Sequence, residues 1–201
     1  MLKPRTFFYA AVALAATITL SSCSGGSPTT APTTASSAEA TADSAAMFNA
    51  DDVTFAQMMI PHHEQAVEMS DDLLAKDGVD QSVIDLATEI KAAQEPEITQ
   101  LEDWLSAWGE DENSMSGMPG TGGGSDGMMS DDDMMALEDS SGTDATKLFL
   151  EQMIVHHESA VAMAQFELDD GENADAQAMA ASIVKSQTAE IAIMADLLAA
   201  L

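Results

Sequence analysis

The chain contains four histidines, which stand in two adjacent pairs: His62, His63, His156 and His157. Met59 precedes the first pair by three and four residues, and Met153 stands in the same relation to the second pair. Residues three and four apart share one face of a helix, so a thioether and an imidazole could bind one ion together. The pattern therefore indicates two equivalent His-His-Met motifs that bind metal.

A second methionine follows each histidine pair, as Met69 and Met163. Met69 comes two helical turns after His62, which is about 10.5 Å along the axis at about 1.5 Å per residue. We therefore expect Met69 and Met163 to be neighbouring ligands or walls of the metal site.

An internal repeat must position these motifs. Residues 55–69 match residues 149–163 at a constant offset of 94, with nine of fifteen positions identical. A further match, at an offset of 93, relates four polar residues in the segments that follow: Gln94, Glu97, Gln187 and Glu190. Apolar residues at helical spacing in all four segments predict that each copy is an antiparallel hairpin of two helices.

Those polar residues lie about as many positions after the hairpin turn as the motifs lie before it, so the two sets should face each other. Met59 and Glu97 lie nineteen residues before and after Gly78 in the turn, and Gln94 lies close in depth to His63. A carboxylate on an apolar stripe needs a partner. We therefore expect Glu97, and Glu190 in the second copy, to accept an imidazole N–H or to bind the metal directly. Gln94 and Gln187 are further candidates for these two roles.

Two hairpins with apolar faces must cover each other, and a four-helix bundle is the simple solution. The predicted fold is therefore all-α, with hairpins at residues 51–108 and 144–201. The sequence leaves the direction of the third helix relative to the first open. An up-down order makes the two helices parallel, whereas a crossover between the hairpins makes them antiparallel.

The N-terminus resembles a secretory signal of the lipoprotein type. Basic residues precede a short apolar run within residues 1–22, and small residues lead to Cys23. The run is too short for a membrane span, which needs about 20 apolar residues. We expect Cys23 to be lipidated, a disordered tether of Ser, Thr, Pro and Ala over 23–50, and an extracytoplasmic protein anchored to the bacterial cell membrane.

A segment rich in Met, Gly and Asp separates the hairpins at residues 109–143 and shows no periodic apolar face. It is too long for an ordinary bundle loop, so we expect a flexible loop. Six of the fifteen methionines fall in it, as candidates for copper capture: Met115, Met118, Met128, Met129, Met134 and Met135. The alternative is a low-complexity spacer.

Composition narrows the chemistry further. The formal net charge of −29 excludes nucleic acid as a partner, because it repels phosphate backbones and attracts cations. The single cysteine leaves only His, Met and carboxylate side chains as metal ligands. Thioether and imidazole without thiolate suit copper, with Cu(I) favoured and Cu(II) as the second candidate.

The repeated segments resemble a known family. Met59 to Met69 and Met153 to Met163, each followed by Gln-x-x-Glu-Ile at Gln94 or Gln187, are similar to the family called domain of unknown function 305. The resemblance covers about residues 51–108 and 144–201. It implies a ferritin-like fold, secretion or lipid anchoring, and for some members copper binding and resistance.

Three functions compete at this point. The first is binding of copper outside the cytoplasm, for sequestration or for handover to an unidentified protein. The second is a ferritin-like oxidase with two metal ions, although such sites use a Glu-x-x-His motif that this sequence lacks. The third is a structural or partner-binding surface lipoprotein without metal.

Overall fold

The computed structural model describes residues 47–112 and 127–201. These residues form five helices: α1 (Ala50–Leu74), α2 (Gln81–Trp108), α3 (Asp131–Asp139), α4 (Gly142–Asp170) and α5 (Ala174–Ala200). Among them, none has both the length and the apolar character required to cross a membrane.

Side chains at the helix ends explain where the helices begin. The Asn49 side chain accepts hydrogen bonds from the backbone at the start of α1, and Asp52 accepts one from the backbone N–H of Asn49. Ser130 and Asp133 form the same reciprocal pair at the start of α3. Such capping boxes satisfy N–H groups that have no partner within the helix.

The helices form the two hairpins that the repeat predicts, which confirms an all-α bundle of two repeated hairpins. Helix α1 packs against α2, and α4 packs against α5. The hairpins meet along α1 and α4, which lie side by side.

Helices α1 and α4 run antiparallel, which decides the direction that the sequence left open. At one end, the Asn49 side chain donates to the carbonyl of Asp170 over 2.8 Å, so the start of α1 meets the end of α4. At the other end, Leu73 near the end of α1 belongs to the same core cluster as Ala145 near the start of α4.

This arrangement gives the molecule an approximate two-fold symmetry. His62 and its counterpart in the repeat, His156, face each other with ring centroids 3.7 Å apart. Because the helices are antiparallel and these matching residues meet, each position of α1 is related to the position 94 residues later in α4. The axis passes between the two imidazole rings.

The core divides into two apolar clusters with the histidines between them. In α1, one cluster ends at Ile60 and the other begins at Ala66. In α4, one ends at Met153 and the other begins at Ala160. The four histidines therefore occupy a polar layer halfway along the bundle, which we call the histidine layer.

The segment between the hairpins differs from the expected flexible loop over 109–143. Its second part contains α3, whose Leu137 is fully buried against the bundle. Met129 and Met134 pack on the same cluster. A nine-residue helix with one buried leucine shows too little periodicity to be detected from sequence. Tertiary contacts, and not the propensity of the segment itself, hold this helix in place.

Candidate metal centre

The histidine layer is closed to solvent. All four imidazole side chains are buried, and His62 and His156 contact each other across the approximate two-fold axis with an interplanar angle of 36°. The position of the histidine layer follows from the repeat, because each histidine pair lies near the middle of its helix. Antiparallel packing of α1 and α4 therefore brings the two pairs to one level. Sequence analysis predicted the residues of this layer but not this face-to-face contact.

The other two histidines each contact a carboxylate from the neighbouring helix. His63 Nε2 lies 2.8 Å from Glu97 Oε2, and His157 Nε2 lies 2.7 Å from Glu190 Oε2. Depth in the hairpin predicted that these carboxylates face the motifs, but it placed Glu97 level with Met59, so the histidine that each carboxylate contacts is a finding of the structure. A carboxylate accepts the Nε2–H, which fixes the tautomer of the ring and leaves its Nδ1 lone pair free.

Several buried polar atoms of this layer have no hydrogen-bond partner among the residues that the structure describes. They are both ring nitrogens of His62 and His156, Nδ1 of His63 and His157, and the amide oxygens of Gln94 and Gln187. A buried polar atom without a partner costs about 1–3 kcal/mol. This concentration of nitrogen lone pairs in a closed core is typical of a binding site.

The two central histidines are neutral at physiological pH. Burial, together with the neighbouring imidazoles of His63 and His157, lowers the pKa of His62 to about 3. Burial, followed by the neighbouring imidazoles of His62, His157 and His63, holds the pKa of His156 well below its ordinary value. A neutral imidazole can bind a metal without first releasing a proton.

The methionines of the two motifs flank the histidine layer. Met59 is fully buried in one apolar cluster and Met153 in the other, so one thioether borders the layer on each side. Met69 lies deeper in its cluster, and Met163 is half-buried at the edge of its own. Met59 and Met153 thus lie in the helical turn before each histidine pair, while Met69 and Met163 lie one or two turns beyond it.

Carboxylate and imidazole groups do not complete a metal site by themselves. Over residues 47–112 and 127–201, no three His, Cys, Asp or Glu side chains are arranged so that they could hold a metal ion. The residues present fit a soft ion that accepts imidazole and thioether ligands better than they fit a hard ion that requires several carboxylates.

The predicted capture methionines fall into three groups. Met129 and Met134 pack against the core, and Met128 is half-buried, whereas Met135 is 58% exposed. Met115 and Met118 lie outside the described residues, and so do the predicted signal, most of the tether and Cys23.

Two glutamines that sequence analysis missed hold this segment against the bundle. The Gln65 side chain donates to the Met129 carbonyl and accepts from the Met129 N–H, over 2.9 and 2.7 Å. Gln152 donates to the carbonyl of Asp133 over 2.9 Å. Both glutamines are neighbours of the histidine motifs in sequence, which could have drawn attention to them.

A buried acidic pair at one end of the bundle was also missed. Asp52 in α1 accepts backbone N–H groups of Glu172 and Asn173, over distances of 2.8 to 3.2 Å, and so joins α1 to the turn between α4 and α5. Glu167 in α4 is buried near it, and within residues 47–112 and 127–201 neither of its carboxyl oxygens has a hydrogen-bond partner. Burial, followed by the neighbouring Asp52, raises the pKa of Glu167 to about 8.

Comparison with solved structures shows several proteins of the same architecture. A DUF305 protein from Streptomyces coelicolor, described as a candidate secreted protein, is 35% identical over 74% of this chain and 91% of its own, with a TM-score of 0.68. A DUF305 fragment from Deinococcus radiodurans is 30% identical over 76% and 98%, with a TM-score of 0.66.

A third structural relative, CopM, was solved with metal. CopM in its Cu(II)-bound form is 30% identical over 73% of this chain and 95% of its own, with a TM-score of 0.63. Structures of CopM in Cu(I)-bound, Ag-bound and apo forms also match. A search of curated proteins found no match.

The family model described as "Domain of unknown function (DUF305)" matches residues 52–198, which include both hairpins and all four histidines. This confirms the resemblance that the repeated motifs indicated. The chain belongs to the DUF305 family.

Proposed function

We propose that this protein binds copper in the histidine layer and sequesters it or hands it to another protein outside the cytoplasm. The observation that carries the proposal is the set of unpartnered ring nitrogens of His62, His63, His156 and His157 in a closed core. Cu(I) is the preferred ion and Cu(II) the second.

The donor set supports copper over harder ions. Neutral imidazoles and the thioethers of Met59 and Met153 are soft or borderline ligands, and thioethers favour Cu(I). CopM, which shares this fold, was solved with Cu(I), Cu(II) and Ag, two of which are soft monovalent ions. Three His or carboxylate ligands do not converge among the described residues, so a thioether is expected to complete the site.

Each residue type has a separate role in this proposal. His62 and His156 offer a ring nitrogen, and His63 and His157 offer Nδ1 because Nε2 faces a carboxylate. Glu97 and Glu190 orient those rings, and the amide oxygens of the buried glutamines supply further polar contacts. Met69 and Met163 serve as walls or neighbouring ligands, and the methionines of residues 109–143 capture copper for the site.

The proposed location is the outer surface of the bacterial cell membrane, with a lipid on Cys23. The sequence around Cys23 supports this proposal, and so does the description of the Streptomyces coelicolor relative as a candidate secreted protein.

Anaerobic titration with Cu(I) against a competing chelator tests the proposal. We expect tight uptake by the native protein and its loss in the variant that carries His62→Ala, His63→Ala, His156→Ala and His157→Ala, with weaker uptake remaining on the methionines. Circular dichroism must show that the variant keeps its helices. Undiminished uptake by a folded variant would exclude the histidine layer as the site. Iron uptake with oxygen consumption would instead favour an oxidase.

A further inference from the structure

A groove between α1 and α4 has a volume of about 390 Å³. Thr54, Phe55 and Met58 line it on α1, and Ser159, Ala162, Met163 and Phe166 line it on α4. Most of this lining is apolar, and Phe166 is 44% exposed. Apolar surface that is contiguous and lines a groove is a feature of sites that contact another molecule.

The approximate two-fold symmetry relates this groove to a surface that is already covered. The residues that correspond to Phe55 and Met163 are Phe149 and Met69, which share a core cluster with Leu137 of α3. The counterpart of Met58 is Gln152, which donates to the carbonyl of Asp133 in α3. Helix α3 therefore occupies one of two related grooves. No described helix occupies the other, where Gly127 lies against Ser159 at one end and leaves the rest of the lining uncovered.

The two grooves differ in polarity. At the α3 groove, Glu68 and Asp72 stand at the positions related to Ala162 and Phe166 in the open groove. The glutamine that holds α3 there is replaced by Met58. The open groove is consequently the more apolar of the two, and it suits a helix with a larger apolar face than α3 has.

The surroundings of the open groove are acidic. Asp51 lies one turn before Thr54 on α1, and Glu158, Asp169 and Asp170 flank the groove residues of α4. Helix α1 contains no Lys or Arg, and the basic residue of α4, Lys147, lies toward its other end. A ligand that covers the groove would be attracted by this field if its solvent-facing side were basic.

We propose that the open groove is the docking site for a short amphipathic helix of a partner protein, with Met or Leu side chains facing the groove and Lys or Arg side chains facing the acidic rim. This is the helix-in-groove mode of recognition, in which apolar side chains at helical spacing provide the contact. Docking does not require metal, so it stands or falls independently of copper binding. Where copper is bound, the partner's helix would contact Met163, which borders the proposed site.

Fluorescence anisotropy with a labelled synthetic peptide tests the docking. The peptide is about 12 residues long, with Leu and Met on one helical face and Lys on the other. We expect saturable binding to the purified, metal-free protein, weakened several-fold at high salt because the charges are screened. A peptide of the same composition in scrambled order should bind at least about tenfold more weakly.

Two substitutions give the open groove the acidic side chains that stand at the related positions of the α3 groove. Ala162→Glu and Phe166→Asp both lie at exposed positions, so the bundle should keep its helices. Each is expected to weaken peptide binding at least about tenfold, even though each adds a charge that attracts lysine, because the apolar contact is lost. Val155→Asp changes another exposed apolar residue of α4 outside the groove and should leave binding unchanged.

Methionine methyl resonances of the protein then show where the peptide binds. The signals of Met58 and Met163 should shift on peptide binding, whereas that of Met135 should not. No saturable binding, or equal binding by Ala162→Glu, Phe166→Asp and native protein, would overturn the proposal. Self-association in sedimentation experiments that Phe166→Asp abolishes would assign the groove to a second copy of the chain and would also overturn it.

Discussion

At the scale of single residues, the tautomers of His63 and His157 decide which ring nitrogen is available to a metal ion. The two nitrogens lie on different sides of an imidazole ring. A carboxylate that accepts the Nε2–H therefore leaves the lone pair of Nδ1 available in another direction. His63 and His157 have this arrangement with Glu97 and Glu190. Such carboxylates both orient the ring and strengthen it as a ligand.

We expect Glu97→Gln and Glu190→Gln together to weaken copper binding about 10- to 100-fold, because an amide orients the ring less firmly and does not raise its basicity. Competition with a chelator of known affinity measures the change. Glu89→Gln, at an exposed position of α2, is the matched control and should bind as the native protein does. Equal affinities in all three proteins would show that the carboxylates have no part in metal binding.

The thioethers of Met59 and Met153 should contribute more to the binding of Cu(I) than to the binding of Cu(II). Met59→Leu with Met153→Leu keeps the side-chain volume and should cost less than about 1.5 kcal/mol of stability at each position. We expect Cu(I) affinity to fall at least about tenfold and Cu(II) affinity to fall less, because thioethers prefer the softer ion. Met194→Leu, a buried methionine of α5, serves as the control. An unchanged Cu(I) affinity would remove both methionines from the ligand set.

At the scale of elements, α3 shows how a segment without a clear apolar stripe becomes ordered. Its capping box satisfies the first turn, Leu137 anchors it in the core, and Gln65 and Gln152 hold the backbone at and before its start. These contacts keep Met129 and Met134 on the bundle.

Leu137→Ala should release α3 while the four long helices persist. Truncation of a buried leucine costs about 2–5 kcal/mol, more than a nine-residue helix can recover from its own hydrogen bonds. Hydrogen exchange should therefore become fast at residues 129–139 and stay slow in α1 and α4. Met135→Ala removes an exposed side chain of the same helix and should leave exchange unchanged. Continued protection of α3 in Leu137→Ala would contradict this account.

The acidic pair where α1 meets the turn between α4 and α5 makes stability depend on pH. Folding raises the pKa of Glu167 from 4.5 to about 8, so the folded state holds a proton that the unfolded state loses. Its contribution is therefore fully favourable below about pH 4.5 and is lost as pH rises toward 8. The counterparts of Asp52 and Glu167 are Thr146 and Leu73, so the other end of the bundle lacks this pair.

Glu167→Gln should remove that part of the pH dependence, because an amide does not titrate. We expect the variant to be more stable than the native protein by roughly 1–3 kcal/mol at pH values above about 8, and close to it near pH 4.5. Urea unfolding followed by circular dichroism at several pH values measures the difference. Glu172→Gln changes an exposed carboxylate of the same turn and should follow the native curve. Parallel curves for all three proteins would show that Glu167 titrates normally.

At the scale of the whole molecule, the histidine layer joins the hairpins. Each hairpin contributes two of the four imidazoles, and α1 and α4 carry them into one layer. A metal bound there would fasten one hairpin to the other and would stabilise only the assembled bundle.

Bound Cu(I) should therefore raise the free energy of unfolding by about 2.7 kcal/mol when free copper is a hundred times the dissociation constant. Anaerobic urea titrations with and without copper measure this, and a strong chelator should reverse it. If both hairpins share the site, His62→Ala with His63→Ala should abolish nearly all of the stabilisation. Retention of about half by this variant would instead indicate an independent site in each hairpin.

The sequence by itself determined the four long helices and the candidate residues. The repeat, the helical spacing of apolar side chains and the lengths around each turn predicted two hairpins, and the depth of Glu97 in its hairpin predicted that it faces the metal-binding motif. These properties are local or lie within one hairpin, where a short turn fixes which residues meet. The donor types also follow from sequence, because a chain with one cysteine has few other soft ligands.

Tertiary structure alone decided how the hairpins meet. Parallel and antiparallel arrangements of α1 and α4 bury similar apolar faces, so composition and periodicity do not distinguish them. The antiparallel choice creates the contact between His62 and His156, the two related grooves, and the burial of Glu167 beside Asp52. All three depend on contacts between residues of different hairpins, far apart in the sequence, where the energy comes from packing between elements and not from the propensity of either segment.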